Sequence, residues 1–238
     1  MMPVCTGTGN GPRVILKHLN RVFLMLAAAF NALSASLYAQ EPAGPVALFD
    51  GKTLDGWQPA DFYGAGEVAL ENGTIVMKQG TKMTGFTSTR KDLPTTNYEL
   101  TYEARRVDGS DFFAAATFPV GKSFITLVNG GWGGSVTGFS SLDGSDAHEN
   151  DTGRSYRYVN GQWYKFRVWV TDKTIRAWID DKSVVRVNYE GRHVGTRIES
   201  RRNQPLGFAT YESTGAVRAI GLRPLTEKEL EEANQPIE

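Results

Sequence analysis

Hydrophobic and polar residues alternate with a period of two through most of this chain, and that alternation predicts strand after strand. Tyr98-Glu99-Leu100-Thr101-Tyr102-Glu103-Ala104 is the plainest case, with apolar and polar side chains turned to opposite faces. Val68–Leu70 and Thr74–Met77 flank Glu71-Asn72-Gly73, whose Asn-Gly pair suits the left-handed turn of a tight hairpin. Trp163–Thr171 and Thr174–Asp180 flank Asp172-Lys173, and in both segments aromatic and β-branched residues alternate with Lys, Arg or Asp. Further strands are predicted at Phe112–Phe118, Phe124–Val128, Val184–Tyr189, Leu206–Thr210 and Val217–Leu222. Helical periodicity does not exceed two turns before Thr226. There Thr226-Glu227-Lys228-Glu229 has the form of a capping box, which predicts a short helix or frayed tail within residues 226–238. Many short strands separated by Gly, Asp and Asn turns predict one all-β domain over residues 46–225, a jelly-roll β-sandwich.

The pattern is different before that domain. Arg13, Lys17 and Arg21 precede the apolar run Val22–Phe30, and Leu33–Ala39 is small and weakly polar. This is the form of an export signal over residues 1–39, followed by a Pro/Gly linker at 40–45. An uncleaved N-terminal anchor is the alternative. The apolar run is shorter than the ~20 residues of a spanning helix, so no stable membrane span is expected after cleavage. Cys5 is the only cysteine, so the domain is expected to fold without disulfides or cysteine-bound metal. The whole chain has a formal charge of zero; three basic residues and no acidic ones lie before the expected cut, which leaves −3 on the remainder. With no basic stripe interleaved with aromatics, nucleic acid is not an expected partner.

Candidate chemistry concentrates in Ser140–Asp151, followed by Arg154. Asp143 and Asp146 suit a hard divalent cation or sugar hydroxyls, and Asp146, His148 and Glu149 are the candidate catalytic groups. Asn150 and Arg154 are candidate substrate contacts. The spacing is not that of an Asp-x-Asp-x-Asp-Gly calcium loop, and a solvated turn satisfying its own backbone is the alternative. Trp132 lies within Gly130-Gly131-Trp132-Gly133-Gly134, where flanking glycines leave an indole free to stack on a sugar; a core-edge aromatic is the alternative. Tyr211, ending a predicted inner strand, offers a phenol as acid or hydrogen-bond donor. Arg192, His193, Arg197, Arg201 and Arg202 form a local basic segment, suited to an anionic ligand or simply to a solvated face. Trp163, Trp169 and Trp178 are expected mainly in the core, and Trp57 at one end of the sandwich. No Gly-x-Ser-x-Gly, His-Glu-x-x-His or phosphate-loop motif is present, which removes serine hydrolase, zincin and nucleotide readings.

Three segments carry a family resemblance. They are Leu48-Phe49-Asp50-Gly51-Lys52-Thr53-Leu54-Asp55-Gly56-Trp57, Asn97-Tyr98-Glu99-Leu100, and Gly161–Val168 with Ile175–Asp181. Together with Leu206–Ala209 and Val217–Pro224 they make the chain resemble the 3-keto-disaccharide hydrolase domains. That resemblance implies a concanavalin-like jelly roll, an exported bacterial protein, and action on sugars whose C3 hydroxyl is oxidised to a ketone. Such a ketone acidifies the hydrogen on C2, and the glycosidic oxygen on C1 can then leave by elimination; water adds back. The site needs a base, an electrophile for the enolate oxygen, which a divalent metal can supply, and an acid for the leaving group. The chain departs from the family pattern where Phe112–Phe118, Phe124–Leu127 and Ala209–Glu212 replace polar family segments. Tyr211 stands where related chains carry histidine. A noncatalytic carbohydrate-binding or extracellular interaction module on the same sandwich is therefore the rival to the 3-keto-glycoside enzyme, and a two-carboxylate glycoside hydrolase is a further reading.

Overall fold

The computed structural model describes residues 1, 3, 4 and 44–235. Nearly all of the expected signal segment 1–39, and most of the 40–45 linker, lie outside the described residues. Among those residues no helix is long and apolar enough to cross a membrane.

The described strands are β1 (Val46–Ala47), β2 (Trp57–Pro59), β3 (Val68–Glu71), β4 (Thr74–Met77), β5 (Met83–Ser88), β6 (Tyr98–Gly109), β7 (Ala115–Val120) and β8 (Ser123–Gly131). They continue as β9 (Val136–Ser140), β10 (Arg154–Ser155), β11 (Tyr164–Val170), β12 (Thr174–Ile179), β13 (Lys182–Asn188), β14 (Gly207–Tyr211) and β15 (Ser213–Pro224). One antiparallel sheet runs β13-β12-β11-β6-β15-β4-β3, with β1 added on β15; the other runs β10-β9-β8-β7-β14-β5-β2. The fold is the expected all-β jelly-roll sandwich. The expected terminal helix is present as Glu227–Ala233, with the Thr226–Glu229 capping box formed in both directions.

Period-two alternation builds the core directly. Tyr98, Leu100, Tyr102 and Ala104 of β6 and Tyr164, Phe166, Val168 and Val170 of β11 point inward. They meet Phe118, Phe139 and Phe208 from the facing sheet, and Phe208 packs edge-on to Tyr102 at 4.9 Å between ring centroids. The Asn72-Gly73 turn has φ of 50° and 74°, the paired left-handed geometry its residues suit. In the opening segment, Asp50 accepts from the backbone N–H groups of Lys52 and Thr53, and Trp57 donates through Nε1 to the Leu48 carbonyl. Trp57 is buried edge-on against Phe86 at the β2 edge.

The other tryptophans depart from the simple core expectation. Trp169 and Trp178 are buried, but on the outer face of the larger sheet, in a separate cluster with Leu225, Leu230 and Ala233. The C-terminal helix therefore supplies their cover. Trp163 is half-buried on the same outer face, with the guanidinium groups of Arg105 and Arg218 at 4.8 and 4.1 Å from its ring.

Gly215 marks a close approach across the sandwich end. A Cβ there would overlap the Phe113 carbonyl oxygen, and Phe113 is fully buried. Gly215→Ala is expected to destabilise the domain by about 1–3 kcal/mol, because backbone on one side or the other must shift. An unchanged denaturation midpoint would refute that close approach.

Candidate functional site

The outer face of the smaller sheet carries a cleft of about 470 Å³, within the roughly 300–1,000 Å³ range of small-ligand sites. Its floor comes from the outward residues Ala115, Thr117, Thr126, Val128 and Ala209. Thr117 and Thr126 face each other in register, with hydroxyl oxygens 2.9 Å apart. They point away from the core yet are only 1% and 3% exposed, so the walls rise over them. Alanines in the floor give the cleft its depth.

One end wall assembles where β5 and β7 begin and β8 and β14 end. There Lys82, Asp111, Phe112, Trp132 and Tyr211 come together. Lys82 Nζ donates to Glu212 at 2.6 Å and to Tyr211 Oη at 3.2 Å. These partners, Glu212 foremost, raise the Lys82 pKa and hold it as a cation. The Phe112 ring lies 5.6 Å from that of Tyr211. Asp111 accepts from the N–H of Phe112 at 2.8 Å and of Gly133 at 2.9 Å, which ties the glycine-flanked loop down. Arg106, almost fully buried, braces the same region through Asn160, Tyr158 and the Asp111 carbonyl. Trp132 has a φ of 51°, unusual for a bulky residue, between Gly130 at 75° and Gly133 at 83°. The loop thereby presents an indole that is 38% exposed on one side and packs on His148 at 4.4 Å on the other.

The opposite end is formed by Ser140, Arg197 and the short 3-10 helix Glu199–Asn203. Asn203 is fully buried there; its Nδ2 donates to the Phe86 carbonyl, while Oδ1 has no hydrogen-bond partner among the described residues.

The acidic loop after β9 lies along the cleft margin. Leu142 and Ala147 are buried and anchor it. Backbone bonds of 2.8 and 3.1 Å join Ser141 and Gly195 in both directions, and Asp143 N–H donates to the His193 carbonyl at 2.8 Å. The basic segment 192–202 thus docks on the acidic loop. Asp146 pairs with Arg197, and Glu149 accepts from the Asp146 N–H at 3.3 Å. One donor atom each from Asp146, His148 and Glu149 lie within 4.8 Å of one another. This set of one imidazole and two carboxylates fits a divalent cation in its chemistry and spacing.

The sequence candidates therefore separate into groups. Trp132 and Tyr211 line the cleft, whereas Asp146, His148 and Glu149 stand just behind Trp132 and Arg197. Asp143 is engaged elsewhere: its carboxylate accepts from the His193 N–H and Arg192 Nε, each at 2.8 Å, and these hold its pKa below the ordinary value, the His193 bond foremost. Asp143 and Asp146 do not share a donor cluster; the cluster forms around Asp146 with His148 and Glu149. Asn150 donates to the Phe139 and Ser145 carbonyls, and Arg154 to those of Asp151 and Gly153, so both side chains secure the loop. Lys82 and the pair Asp111-Phe112 are cleft residues that no local motif marks, since they reach the site from separate segments, while Arg197 is marked only as one member of the basic segment.

Over residues 44–223 the chain matches the 3-keto-alpha-glucoside-1,2-lyase-like domain. The chain belongs to that family. As a 3-keto-alpha-glucoside-1,2-lyase-like domain it is a carbohydrate-active protein, and carbohydrate is its partner class. No curated protein matches it in sequence. Among solved structures it is similar to the transglycosylase Crh5 in complex with NAG, at 11% identity and a TM-score of 0.51, over 78% of this chain and 86% of that one. A sialidase is similar at 11% identity and a TM-score of 0.51, over 80% of this chain but 19% of that one. At such identities these likenesses concern the sandwich itself.

Proposed function

We propose that this lyase-like domain is an exported enzyme that cleaves 3-keto-glycosides by abstraction of the C2 proton, elimination and hydration. The observation that carries the reading is the walled cleft, with Trp132 on its rim packed against the Asp146–His148–Glu149 cluster. Family membership supports the sugar class, and the basic-then-apolar order of residues 13–39 supports export to the periplasm or beyond. Trp132 offers its exposed face to the apolar side of a sugar ring. Glu149, beside His148 at 3.7 Å, is the base for the C2 hydrogen, and Asp146 positions it through its backbone N–H. Tyr211 donates a hydrogen bond to the bound sugar. Asp143, Asn150 and Arg154 hold the loop that carries the base. A divalent cation, where the reaction uses one, would be held by Asp146, His148 and Glu149 and would polarise a substrate oxygen there; Glu149 serves as the base only with that cluster free of metal.

A noncatalytic sugar-binding role is the second reading. It is favoured by the commitment of Asp146 to Arg197 and by the position of the cluster behind the lining residues. Incubating the domain with a 3-keto-disaccharide in D₂O, with and without divalent metal or chelator, separates the two. The enzyme reading expects monosaccharide release with deuterium at C2 of the keto product. Glycan binding with no release in any arm would establish the binding module instead.

A further inference from the structure

We propose that Lys82 and Tyr211 form the electrophilic corner that receives the C3 oxygen of the substrate as it becomes an enolate; this rests on the 3-keto-glycoside reading above. An enolate needs hydrogen-bond donors aimed at one oxygen and fixed before the reaction begins. The Lys82 ammonium has three protons. One goes to Glu212 at 2.6 Å and one to Tyr211 Oη at 3.2 Å, which leaves a third. Tyr211 Oη accepts from Lys82, so its own O–H is turned away from that ammonium; the carboxylate that also draws on the phenol is Glu212, which is already engaged by Lys82. Both side chains line the same end of the cleft as Trp132.

The corner is built rather than incidental. Tyr211 is in register with Met83, next to Lys82, and the Glu212 N–H donates to the Lys82 carbonyl at 3.0 Å. Glu212 takes a φ of 44°, and its carboxylate returns to the ammonium. Tyr211 N–H is held by the Phe112 carbonyl at 3.0 Å, and the Phe112 ring lies against the phenol. A lysine kept cationic by Glu212 is a poor nucleophile for a Schiff base, so its role at a ketone is electrostatic.

The electron flow is complete with groups already named. Glu149 takes the C2 proton; the C–H pair becomes the C2=C3 bond, and the carbonyl π pair moves onto the C3 oxygen, where Lys82 and Tyr211 meet it. That pair then returns to re-form C3=O, the C2=C3 pair becomes C1=C2, and the C1–O bond breaks. The departing oxygen keeps the bonding pair and takes up the proton from Glu149. Water then adds at C1, with one of its protons going to C2.

The test isolates enolate formation with the 3-ketone of 1,5-anhydroglucitol, which has no exocyclic glycosidic group to expel from C1. Deuterium wash-in at C2 is followed by NMR for the wild-type chain, Tyr211→Phe and Lys82→Met, alongside cleavage of a 3-keto-disaccharide. Both variants change side chains at the cleft rim, and their Tm values are measured in parallel. Tyr211→Phe and Lys82→Met are each expected to slow exchange about 10²-fold or more, the scale of losing one oxyanion donor. Wild-type exchange rates in both folded variants overturn the corner and leave the enzyme reading standing. So does exchange that persists in the variants and is lost only on chelation, which would assign the electrophile to a metal. A wild-type chain that neither exchanges nor cleaves overturns the enzyme reading and the corner together.

Discussion

Arg223→Ala is expected to lower the stability of the domain by about 3–5 kcal/mol, the scale for stripping one partner from a buried ion pair. Arg223 joins two elements. Its Nε donates to Glu99 on β6 at 2.8 Å, while its terminal nitrogens donate to both Glu229 oxygens at 2.7 and 2.8 Å in the C-terminal helix. The Glu99 side chain is 6% exposed, and its second oxygen accepts from Trp169 Nε1 at 2.6 Å. Removing the guanidinium leaves that carboxylate buried without a counter-charge and unfastens the helix that covers Trp169 and Trp178. For a domain of this size the loss corresponds to a fall of roughly 6–20 °C in Tm. Calorimetry gives the Tm, and a red shift of tryptophan emission reports the uncovered indoles. A variant with wild-type Tm and emission would show that the clasp contributes nothing. The pairing also sets an acid limit. Glu229 is held at about 2, below its ordinary 4.5, chiefly by the Arg223 hydrogen bonds. A depressed carboxylate contributes stability above its ordinary pKa and loses that contribution as pH falls through the folded value. The helix is therefore expected to loosen between pH 4.5 and 2, and Glu229→Gln should flatten that limb of the stability curve.

What was legible in the sequence was whatever depended on short range. The Asn72-Gly73 turn, the Thr226–Glu229 capping box and the alternation of β6 each need only neighbours a few residues apart, and each formed as its residues suit. Alternation identified β11 and β12 as strands but could not say which face was the core. Tyr164, Phe166 and Val168 on one side of β11 are matched by Trp169 on the other, beside Trp178 of β12, and only the distant helix explains that second apolar patch. β5 and β9 escaped because their inward sets, Thr84-Phe86-Ser88 and Thr137-Phe139, differ little in polarity from their outward ones. The site was legible where glycines cluster around Trp132. Tyr211 was legible as a strand end and Arg197 as part of a basic segment, but nothing nearby marked Lys82 or Asp111, which reach the cleft from separate segments. Nor did spacing distinguish Asp143 from Asp146. A left-handed turn at Asp143-Gly144, with φ of 53° and 81°, sends the first carboxylate to Arg192, while the second faces Arg197 and His148.

That division gives the largest expected effect on activity. Glu149→Gln should lower turnover of a 3-keto-disaccharide by about 10²–10⁴-fold, the usual consequence of losing a general base, with little change in Tm because the side chain is more than half exposed. Asp146→Asn should also depress turnover, through a different route. It weakens the ion pair to Arg197 at the cleft margin and removes one member of the three-residue donor cluster. Asp143→Asn is the internal comparison, because it alters a carboxylate in the same loop that is bound to Arg192 and His193 instead. It is expected to keep turnover within a few-fold of wild type. Steady-state rates for the three variants, measured on protein of confirmed Tm, decide among the carboxylates. Equal losses in all three would mean that the loop matters only as a folded unit. Full activity in Glu149→Gln and Asp146→Asn would move the base off the loop. The next carboxylate to replace would then be Asp111, which lines the cleft beside Trp132 and already accepts two backbone N–H groups.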